Sequence, residues 1–420
     1  MNVLSPTEVR AERLPAHVLD YPVEVVEYPG RMATPVDAFI HKNLTSLQDQ
    51  GFEPFVVYNG DFLANPVGGR GQTAAWQQLL IFGGEVNLEK IIGWKGGSIM
   101  VSAVDATGTD ISKTIGNIFS ASQALALNSF GINKLYFRQL FFGDTVDLRL
   151  GLFTAGSVFA SLPVMELPVS GATNGNPTSL FTNISGFHSV DQPSWAAYVK
   201  VKPTENTYTQ AAIFQVNPRT NNVSYHGMDF SVREGDGALL MFESGWTPTF
   251  GDTKKGLEGV YMAGAYLQNF PTQTFNNTGT VNNIYGFYAQ GQQKVWKNPH
   301  NENMELTLWG GGTYSPQTEA ALLPVMGYGG VVLKGAIPTR PDDKFLLCNY
   351  IGGVSNSFAN DSVRDGLGRP TVETVVEASY IIQLTDNLQF QPDLQWIIQP
   401  GGYHNVPNAL VIGFQVAAIF

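Results

Sequence analysis

Apolar and polar residues alternate along several segments of this chain, most clearly between Leu388 and Gln399. One face of this segment carries Leu388, Phe390, Pro392, Leu394, Trp396 and Ile398. The other face carries Gln389, Gln391, Asp393, Gln395 and Gln399, with Ile397 as its apolar member. Because successive side chains of a β-strand point to opposite sides, the alternation predicts a strand that separates an apolar medium from a polar one.

The same period of two recurs from about residue 51 to the C-terminus and predicts about 16 strands, a number usual for membrane barrels. The predicted spans are 52–61, 76–89, 98–107, 134–142, 146–155, 194–203, 207–217, 236–247, 257–270, 283–295, 303–315, 322–337, 343–355, 370–384, 387–399 and 408–420. Many of them match the ~9–11 residues with which a tilted strand crosses a bilayer. No run approaches the ~18 apolar residues of a membrane-spanning helix. The pattern therefore predicts an all-β, transmembrane antiparallel β-barrel.

The connections between the predicted strands fall into two length classes. The short ones are 143–145, 203–206, 338–342 and 385–387, and the long ones are 108–133, 156–193, 218–235 and 356–369. The order of the strands places all the short connections at one end of the barrel and all the long ones at the other. Short periplasmic turns and long outer loops are typical of outer-membrane barrels.

The placement of aromatic residues agrees with a membrane barrel. Indole rings prefer the two membrane interfaces. The tryptophans at or near predicted strand ends are Trp76, Trp94, Trp195, Trp246, Trp296 and Trp396, whereas Trp309 lies mid-strand. The last predicted strand has an entirely apolar alternate face that ends on Phe420. Such a strand can close a barrel without leaving an apolar tail in water.

Composition and motif content exclude several other classes of function. The chain has 24 Lys+Arg against 35 Asp+Glu, a formal net charge of −11, which argues against a nucleic-acid-binding protein. A single cysteine, Cys348, excludes a disulfide framework and a multi-cysteine zinc site. The histidines lack metal-ligand spacing, and no catalytic or phosphate-binding motif occurs. Composition and motifs thus give no sign of a metal site or of a known catalytic site.

Residues 1–50 show no alternation and are interrupted by prolines. We expect them to form an N-terminal periplasmic extension that includes a short helix between Thr34 and Gly51, with the barrel formed by residues 51–420. The helix would plug or cover one end of the barrel. The first 13 residues carry charges of both signs and lack the apolar region of a signal peptide. Together with a barrel, this favours a mature chain in the bacterial outer membrane, with its signal peptide absent from this sequence.

Several blocks between about residues 38 and 420 resemble the OprB-type carbohydrate-selective porins. They include Tyr58-Asn59-Gly60-Asp61, Asn87-Leu88-Glu89-Lys90, Leu148-Arg149-Leu150-Gly151 and, most closely, Gln391-Pro392-Asp393-Leu394-Gln395 with Val406-Pro407-Asn408-Ala409-Leu410. Two departures concern the preferred sugar. Arg138 stands where the family pattern has an acidic residue, and the loop after Ala155 has its own sequence. The resemblance implies an outer-membrane channel for passive entry of monosaccharides, with glucose as the usual example. It also implies that the protein is not an enzyme and needs no cofactor.

Sugar hydroxyls both donate and accept hydrogen bonds, so a suitable lumen combines amides, paired charges and aromatic planes. Strand parity points the following candidates inward: Glu85, Arg138, Arg149, Lys200, Glu243, Glu305, Gln391, Asp393 and Gln395. We expect three bases (Arg138, Arg149 and Lys200) to face a set of carboxylates that includes Glu85, Glu243 and Asp393 at a constriction, where the field would orient polar solutes. The alternative is that these charges only stabilise the barrel wall through salt bridges.

The connection 156–193 is far longer than an ordinary loop, and we expect it to fold into the lumen and narrow the pore. Its aromatic residues Phe181 and Phe187 are then candidates for stacking on the apolar faces of sugars. The expected partners are small neutral sugars, outer-membrane lipid and lipopolysaccharide. A monomer is favoured over a homotrimer because no strand shows an outer face unsuited to lipid.

Three other functions remain open at this point. The first is a general or anion-leaning porin, and the second is a plugged outer-membrane barrel that serves as the scaffold of an envelope assembly. The third, a soluble all-β protein that binds or cleaves glycans, would need paired carboxylates in a cleft.

Overall fold

A computed structural model of the chain describes residues 46–124, 128–173, 175–190, 192–220, 222–251, 256–275 and 279–420. Of the helix predicted between Thr34 and Gly51, residues 46–49 are helical. Residues 50–51 form a turn, and the part of the predicted helix before residue 46 lies outside the described residues, as does the extension before it.

Strands dominate the structure and form one antiparallel sheet. They are β1 (Phe52–Val67), β2 (Thr73–Asn87), β3 (Gly97–Gly108), β4 (Ser129–Phe141), β5 (Val146–Phe153), β6 (Ser194–Thr204), β7 (Thr207–Val216), β8 (Gly237–Trp246), β9 (Thr249–Phe250), β10 (Leu257–Gln273), β11 (Thr280–Asn298), β12 (Asn301–Tyr314), β13 (Val325–Lys334), β14 (Lys344–Gly353), β15 (Val372–Gln383), β16 (Leu388–Ile398) and β17 (Ala409–Ile419). Sequential strands pair, β8 also pairs directly with β10, and β1 pairs with β17. The sheet is therefore a closed barrel of 16 long strands, with the two-residue β9 attached to β10.

The predicted strands are confirmed, and the differences lie at their boundaries. The predicted first strand ended at residue 61, whereas β1 continues to Val67. The predicted strand 322–337 is shorter in the structure, where β13 begins at Val325. The chain before β13 belongs to a loop that is closed by a hydrogen bond from the Ser315 amide to the Pro324 carbonyl.

The outer face of the barrel is apolar. Large exposed apolar residues occur on strands all around it, among them Phe62, Phe82, Val101, Leu150, Ile213, Phe242, Phe287, Leu308, Leu347, Leu394 and Ile412. The six tryptophans predicted near strand ends are all exposed, whereas Trp309 is buried among Tyr328 and Tyr350. The alternation thus separates a lipid-facing surface from the interior. No helix in the described part of the chain is long and apolar enough to span a membrane.

The two ends of the barrel differ as expected. Connections 142–145, 205–206, 299–300 and 384–387 lie at the end where the chain enters, together with helix α1 (Leu88–Ile92). Asn87 begins this helix because its side chain accepts hydrogen bonds from the amides of Glu89 and Lys90, and Gly93 ends it with a left-handed φ of 75°. The opposite end carries the long connections 109–128, 154–193, 217–236 and 354–371. Two short connections, 68–72 and 274–279, also lie at that end.

Two long connections fold into the barrel. The shorter inner loop (residues 109–124) contains α2 (Ser112–Ile115), and the longer inner loop (residues 154–190) contains α3 (Thr178–Asn183). Apolar side chains of the longer loop, including Leu162, Met165 and Val169, are buried against the inner faces of the barrel wall. Inward folding of this loop was expected, whereas that of the shorter loop was not. A further helix, α4 (Asn356–Arg364), lies in the connection 354–371 at the same end.

Candidate functional site

Carboxylates on the inner wall hold the two inner loops by their backbone amides. Both Glu373 oxygens, on β15, accept from the amides of Ile118 and Phe119 at 2.7–3.0 Å. Four residues further along β15, on the same face of the strand, Glu377 accepts from the Val169 amide at 2.6 Å. Hydrogen bonds from backbone amides to a carboxylate are among the strongest neutral-to-ion contacts in proteins, so these residues fix the loops against the wall.

The first and last strands share one such carboxylate. Asp61 on β1 accepts a hydrogen bond from Nε2 of Gln415 on β17 at 2.9 Å. It also accepts one from the Ser122 hydroxyl of the shorter inner loop. The seam of the barrel and an inner loop are therefore joined at a single buried side chain.

The inward-pointing glutamines of β16 also hold the inner loops. Gln391 Nε2 donates to the Leu167 carbonyl at 2.8 Å, and Gln395 Nε2 donates to the Ala121 carbonyl at 2.7 Å and to Asp393 at 2.8 Å. All three side chains are buried. The structure differs here from the expected contact with a solute, because loop backbone occupies the position that a sugar hydroxyl would take.

A cavity of about 170 Å³ remains between the longer inner loop and the wall formed by β1, β2, β4, β6, β7 and β8. The apolar part of its lining includes Phe55, Val57, Leu79 and Ile81 of the wall and Val158 and Val190 of the longer inner loop. The polar part includes Asn59, Asn133, Lys134, Glu166, Lys200, Tyr208, Gln210 and Glu243. A solute in this cavity would therefore meet an apolar surface and hydrogen-bonding groups together.

Lys200, Gln210 and Glu243 form a row across β6, β7 and β8 in this cavity, because the strand register pairs Lys200 with Gln210 and Gln210 with Glu243. Glu243 accepts hydrogen bonds at 2.8 Å from Gln210 and from the hydroxyl of Tyr208, and at 2.9 Å from the Ala160 amide of the longer inner loop. The Lys200 ammonium lies 4.4 Å from the centre of the Tyr208 ring, a cation–π distance. The row thus places a cation and a carboxylate beside the inner loop.

The two predicted arginines lie opposite each other on β4 and β5 and share one carboxylate. Asp147 Oδ2 is 2.8 Å from Arg138 Nη2 and 2.9 Å from Arg149 Nη2. Glu85 lies at 4.0 Å from Arg138. Rings of Tyr136 and Tyr198 lie over the Arg149 guanidinium at 5.7 and 5.0 Å. Arg149 is consequently 4% exposed, and this group is a packed ionic cluster in the wall.

The remaining predicted residues are placed elsewhere. Glu305 pairs with Lys294 at 2.9 Å, and Asp393 contacts Gln395, so the structure does not bring either carboxylate to the arginines. Phe187 is buried and packs edge-on against Phe181 with ring centres 5.2 Å apart. Phe181 is partly buried. The structure therefore places Phe187 in the interior of the loop, which differs from the expected stacking on a solute.

His188 is a titratable group of the longer inner loop. Its side chain is partly exposed, but its Nε2 is buried and has no hydrogen-bond partner among the described residues. Burial lowers the pKa of His188 to about 4. The imidazole is therefore neutral at neutral pH.

Comparison with known proteins assigns the family. The family described as carbohydrate-selective porin, OprB family, matches residues 71–420. The chain belongs to this family. Its place is accordingly the bacterial outer membrane.

Two curated relatives of this OprB-family chain are porins. Porin B of Pseudomonas aeruginosa is 26% identical over 420 aligned residues, which cover 90% of this chain and 89% of Porin B. The putative porin QuiX of Acinetobacter baylyi is 23% identical, covering 81% of this chain and 82% of QuiX. The homologues are thus channel proteins.

Solved structures agree with the fold. A high-pH structure of Pseudomonas putida OprB superposes with a TM-score of 0.82 at 22% identity, covering 90% of this chain and 96% of that one. OmpF of Salmonella typhi, in complex with daunomycin, superposes with a TM-score of 0.54 at 10% identity, covering 89% and 99%.

Sequence reasoning missed several residues of the pore of this OprB-family protein. Asp147 was detectable, because it lies two positions before Arg149 on the same face of β5. Tyr198 and Tyr208 flank Lys200 and the arginines, but aromatic residues at inward positions carry no signal that distinguishes them from core. The shorter inner loop gave no signal beyond its length.

Proposed function

We propose that this OprB-family porin lets small neutral sugars, such as glucose-like monosaccharides and polyols, diffuse passively into the periplasm. The observation that carries the proposal is the mixed lining of the cavity beside the longer inner loop. Phe55 and Leu79 supply apolar surface, while Asn59, Gln210 and Lys200 supply donors and acceptors. A sugar ring has apolar faces and a rim of hydroxyls, so this lining matches both parts.

The pairing of charges supports a neutral solute over an ion. Arg138 and Arg149 are bound to Asp147, and Glu243 is hydrogen-bonded on both oxygens. Paired charges leave only a small net field to attract ions. The polar groups that line the cavity can still form hydrogen bonds with the hydroxyls of a sugar. We assign Lys200 as the solute-contacting side chain of the constriction. Gln210 and Glu243 are buried and bonded to the longer inner loop, so they hold that loop beside the cavity, and the arginine cluster shapes the neighbouring wall.

The outer surface supports a single barrel in lipid. Exposed apolar residues occur on strands around the barrel, from Phe62 on β1 to Ile412 on β17. We propose that the protein acts as a monomer whose belt contacts outer-membrane lipid and lipopolysaccharide.

Swelling of proteoliposomes tests the proposal. Vesicles that contain the protein should swell faster in glucose than in a disaccharide or in a charged solute of glucose size. Lys200→Met, which keeps most of the side-chain volume and removes the charge, should reduce the preference for glucose over a cationic solute of glucose size, because it removes the repulsion of cations. Equal rates for all three solutes would contradict sugar selectivity and favour a general porin.

A plugged barrel that acts as a scaffold is a second candidate. It is favoured by the anchoring of both inner loops through Glu373, Glu377 and Gln395. Single-channel recording separates the two functions. A stable conductance that glucose reduces supports the sugar channel, and the absence of any conductance supports the scaffold.

A further inference from the structure

At the end of the barrel that carries the long connections, no strand of the described residues pairs with one edge of β4. The register pairs β4 with β5 from Leu135 to Phe141, because β5 leaves the wall at Phe153 and the chain turns into the lumen. Residues 129–134 of β4 therefore have no partner in β5. At ~3.3 Å per residue this edge is roughly 20 Å long. Unpaired backbone groups at the depth of a membrane are strongly unfavourable.

A segment of the connection 217–236 crosses to this edge. The amide of Ile132 donates to the His226 carbonyl at 2.9 Å, and His226 Nδ1 lies 2.5 Å from the Phe130 carbonyl oxygen. Two glycines permit the approach. A Cβ at Gly131 would lie 2.6 Å from the His226 oxygen, and one at Gly227 would lie 2.6 Å from the Ile132 oxygen. The segment thus supplies hydrogen bonds that β5 does not.

The segment also repeats the alternation of the barrel strands. Met228, Phe230 and Val232 are 53%, 48% and 73% exposed, whereas the intervening Asp229 and Ser231 hydrogen-bond within the loop. It rests on the outer surface of the wall. The indole of Trp195, exposed on β6, donates to the Phe230 carbonyl at 2.9 Å.

An ionic cluster behind the segment holds it in place. Arg219 Nε is 2.6 Å from Asp229 Oδ2, and Arg219 Nη2 is 2.8 Å from Asp236 Oδ2. Gln215 on β7 donates to the Ser231 carbonyl at 2.9 Å and to Asp236 at 2.6 Å. These polar contacts fix Asp229 and Ser231 against β7 and Arg219, while Met228, Phe230 and Val232 stay exposed.

We propose that residues 223–232 are a substitute wall segment, which covers the gap above β5 and lies with Met228, Phe230 and Val232 against the acyl chains of the outer leaflet. These side chains continue the apolar belt through Trp195 and Phe130, both exposed on the outer face. A row of large exposed apolar residues next to a lipid-facing surface is explained by lipid contact. The segment separates the lumen from the bilayer at the place where the longer inner loop leaves the wall.

Quenching of a fluorescent label tests this proposal. Cys348 is buried, so bimane labelling of the full chain is directed to an introduced cysteine. Val232→Cys is compared with Ile213→Cys on the lipid-facing side of β7 and with Glu234→Cys, an exposed polar position two residues away. The protein is reconstituted in phosphatidylcholine vesicles with or without bromine on the acyl chains.

Bromine should quench the label at Val232→Cys at least twofold more than at Glu234→Cys, and to about the extent seen at Ile213→Cys. Aqueous iodide should show the reverse order. Adding Arg219→Met should bring the label at Val232→Cys close to the values at Glu234→Cys. That result would show that the protein, and not the label, places this position in lipid. If bromine still quenched the label as strongly in the Arg219→Met variant, the label alone would explain its insertion, and the proposal would be wrong.

Two other outcomes would overturn the proposal. Iodide quenching at Val232→Cys equal to that at Glu234→Cys would place the segment in water. Protection from both quenchers would place it against a second copy of the chain.

Discussion

Asp147 is the shared counter-charge of two guanidinium groups. It lies within 2.9 Å of a nitrogen of each arginine, and the second carboxylate near them, Glu85, is 4.0 Å from Arg138. Removing one partner of a buried ion pair leaves the other charge uncompensated, which is more costly than the loss of the pair itself. The integrity of this part of the wall therefore depends more on Asp147 than on either arginine.

Asp147→Asn should shift the channel toward anions and destabilise the barrel by about 3–5 kcal/mol, since the buried Arg149 and the partly buried Arg138 lose their shared counter-charge. The reversal potential in a salt gradient and unfolding by denaturant measure the two effects. Asp144→Asn is the matched control, because Asp144 lies in an exposed turn and pairs with Lys202 at the surface. Equal effects of the two variants would contradict the role of the cluster.

His188 predicts a pH dependence of the longer inner loop. Its pKa of about 4 in the folded state is below the ordinary value of 6.5. The released loop therefore binds a proton between these values while the docked loop does not, so docking weakens as the pH falls from 6.5 to about 4 and then levels off. From pH 7 to 5 the opening equilibrium should rise on the order of tenfold or more.

Hydrogen exchange of amides in residues 154–190, corrected for the intrinsic effect of pH, measures this change. His188→Gln should lose the additional opening at pH 5, while exchange in the strands stays the same. An identical pH response in wild type and variant would assign the effect to other groups.

At the scale of elements, the inner loops are held by side chains that the sequence presents as ordinary inward polar positions. Alternation predicts that Glu373, Gln391 and Gln395 point into the barrel, and they do. It does not distinguish a lumen filled with water from one filled with polypeptide, because a carboxylate or an amide side chain can form hydrogen bonds with water and with backbone groups alike. The roles of these residues therefore depended on where residues 109–124 and 154–190 fold, which strand periodicity does not encode.

Glu373→Gln should loosen the shorter inner loop. An amide oxygen accepts more weakly than a carboxylate from the amides of Ile118, Phe119 and Gly401, and the expected loss is about 1–3 kcal/mol. Exchange of the Ile118 and Phe119 amides should then rise roughly tenfold to a hundredfold, since 1.4 kcal/mol corresponds to a factor of ten. Glu305→Gln, a carboxylate paired with Lys294 away from both loops, should leave this exchange unchanged.

At the scale of the whole molecule, the sequence was sufficient for the barrel. Strand number, the polarity of the two ends and the outward tryptophans follow from alternation and connection lengths, because a membrane permits little else for strands with one apolar face. The small β9 and the wall segment formed by residues 223–232 could not be predicted in this way. The first is too short to show a period, and the second depends on the gap left by β5.

Leu347→Lys tests the position of the apolar belt. Leu347 is exposed on the outer face of β14, and a lysine near the middle of the bilayer costs about 2–4 kcal/mol. Denaturant unfolding in vesicles should show this loss. Leu384→Lys, at an equally exposed site in the turn after β15, should change stability little. A similar loss of stability there would contradict the position of the apolar belt.

Asp61 links the order of assembly to the content of the finished pore. This carboxylate at the junction of the terminal strands accepts from both Gln415 and Ser122, which are separated by most of the chain. The junction reaches its full set of hydrogen bonds when the shorter inner loop is already inside. A barrel that closed around an empty centre would lack the Ser122 contact of Asp61, so closure of the sheet and filling of the lumen stabilise each other.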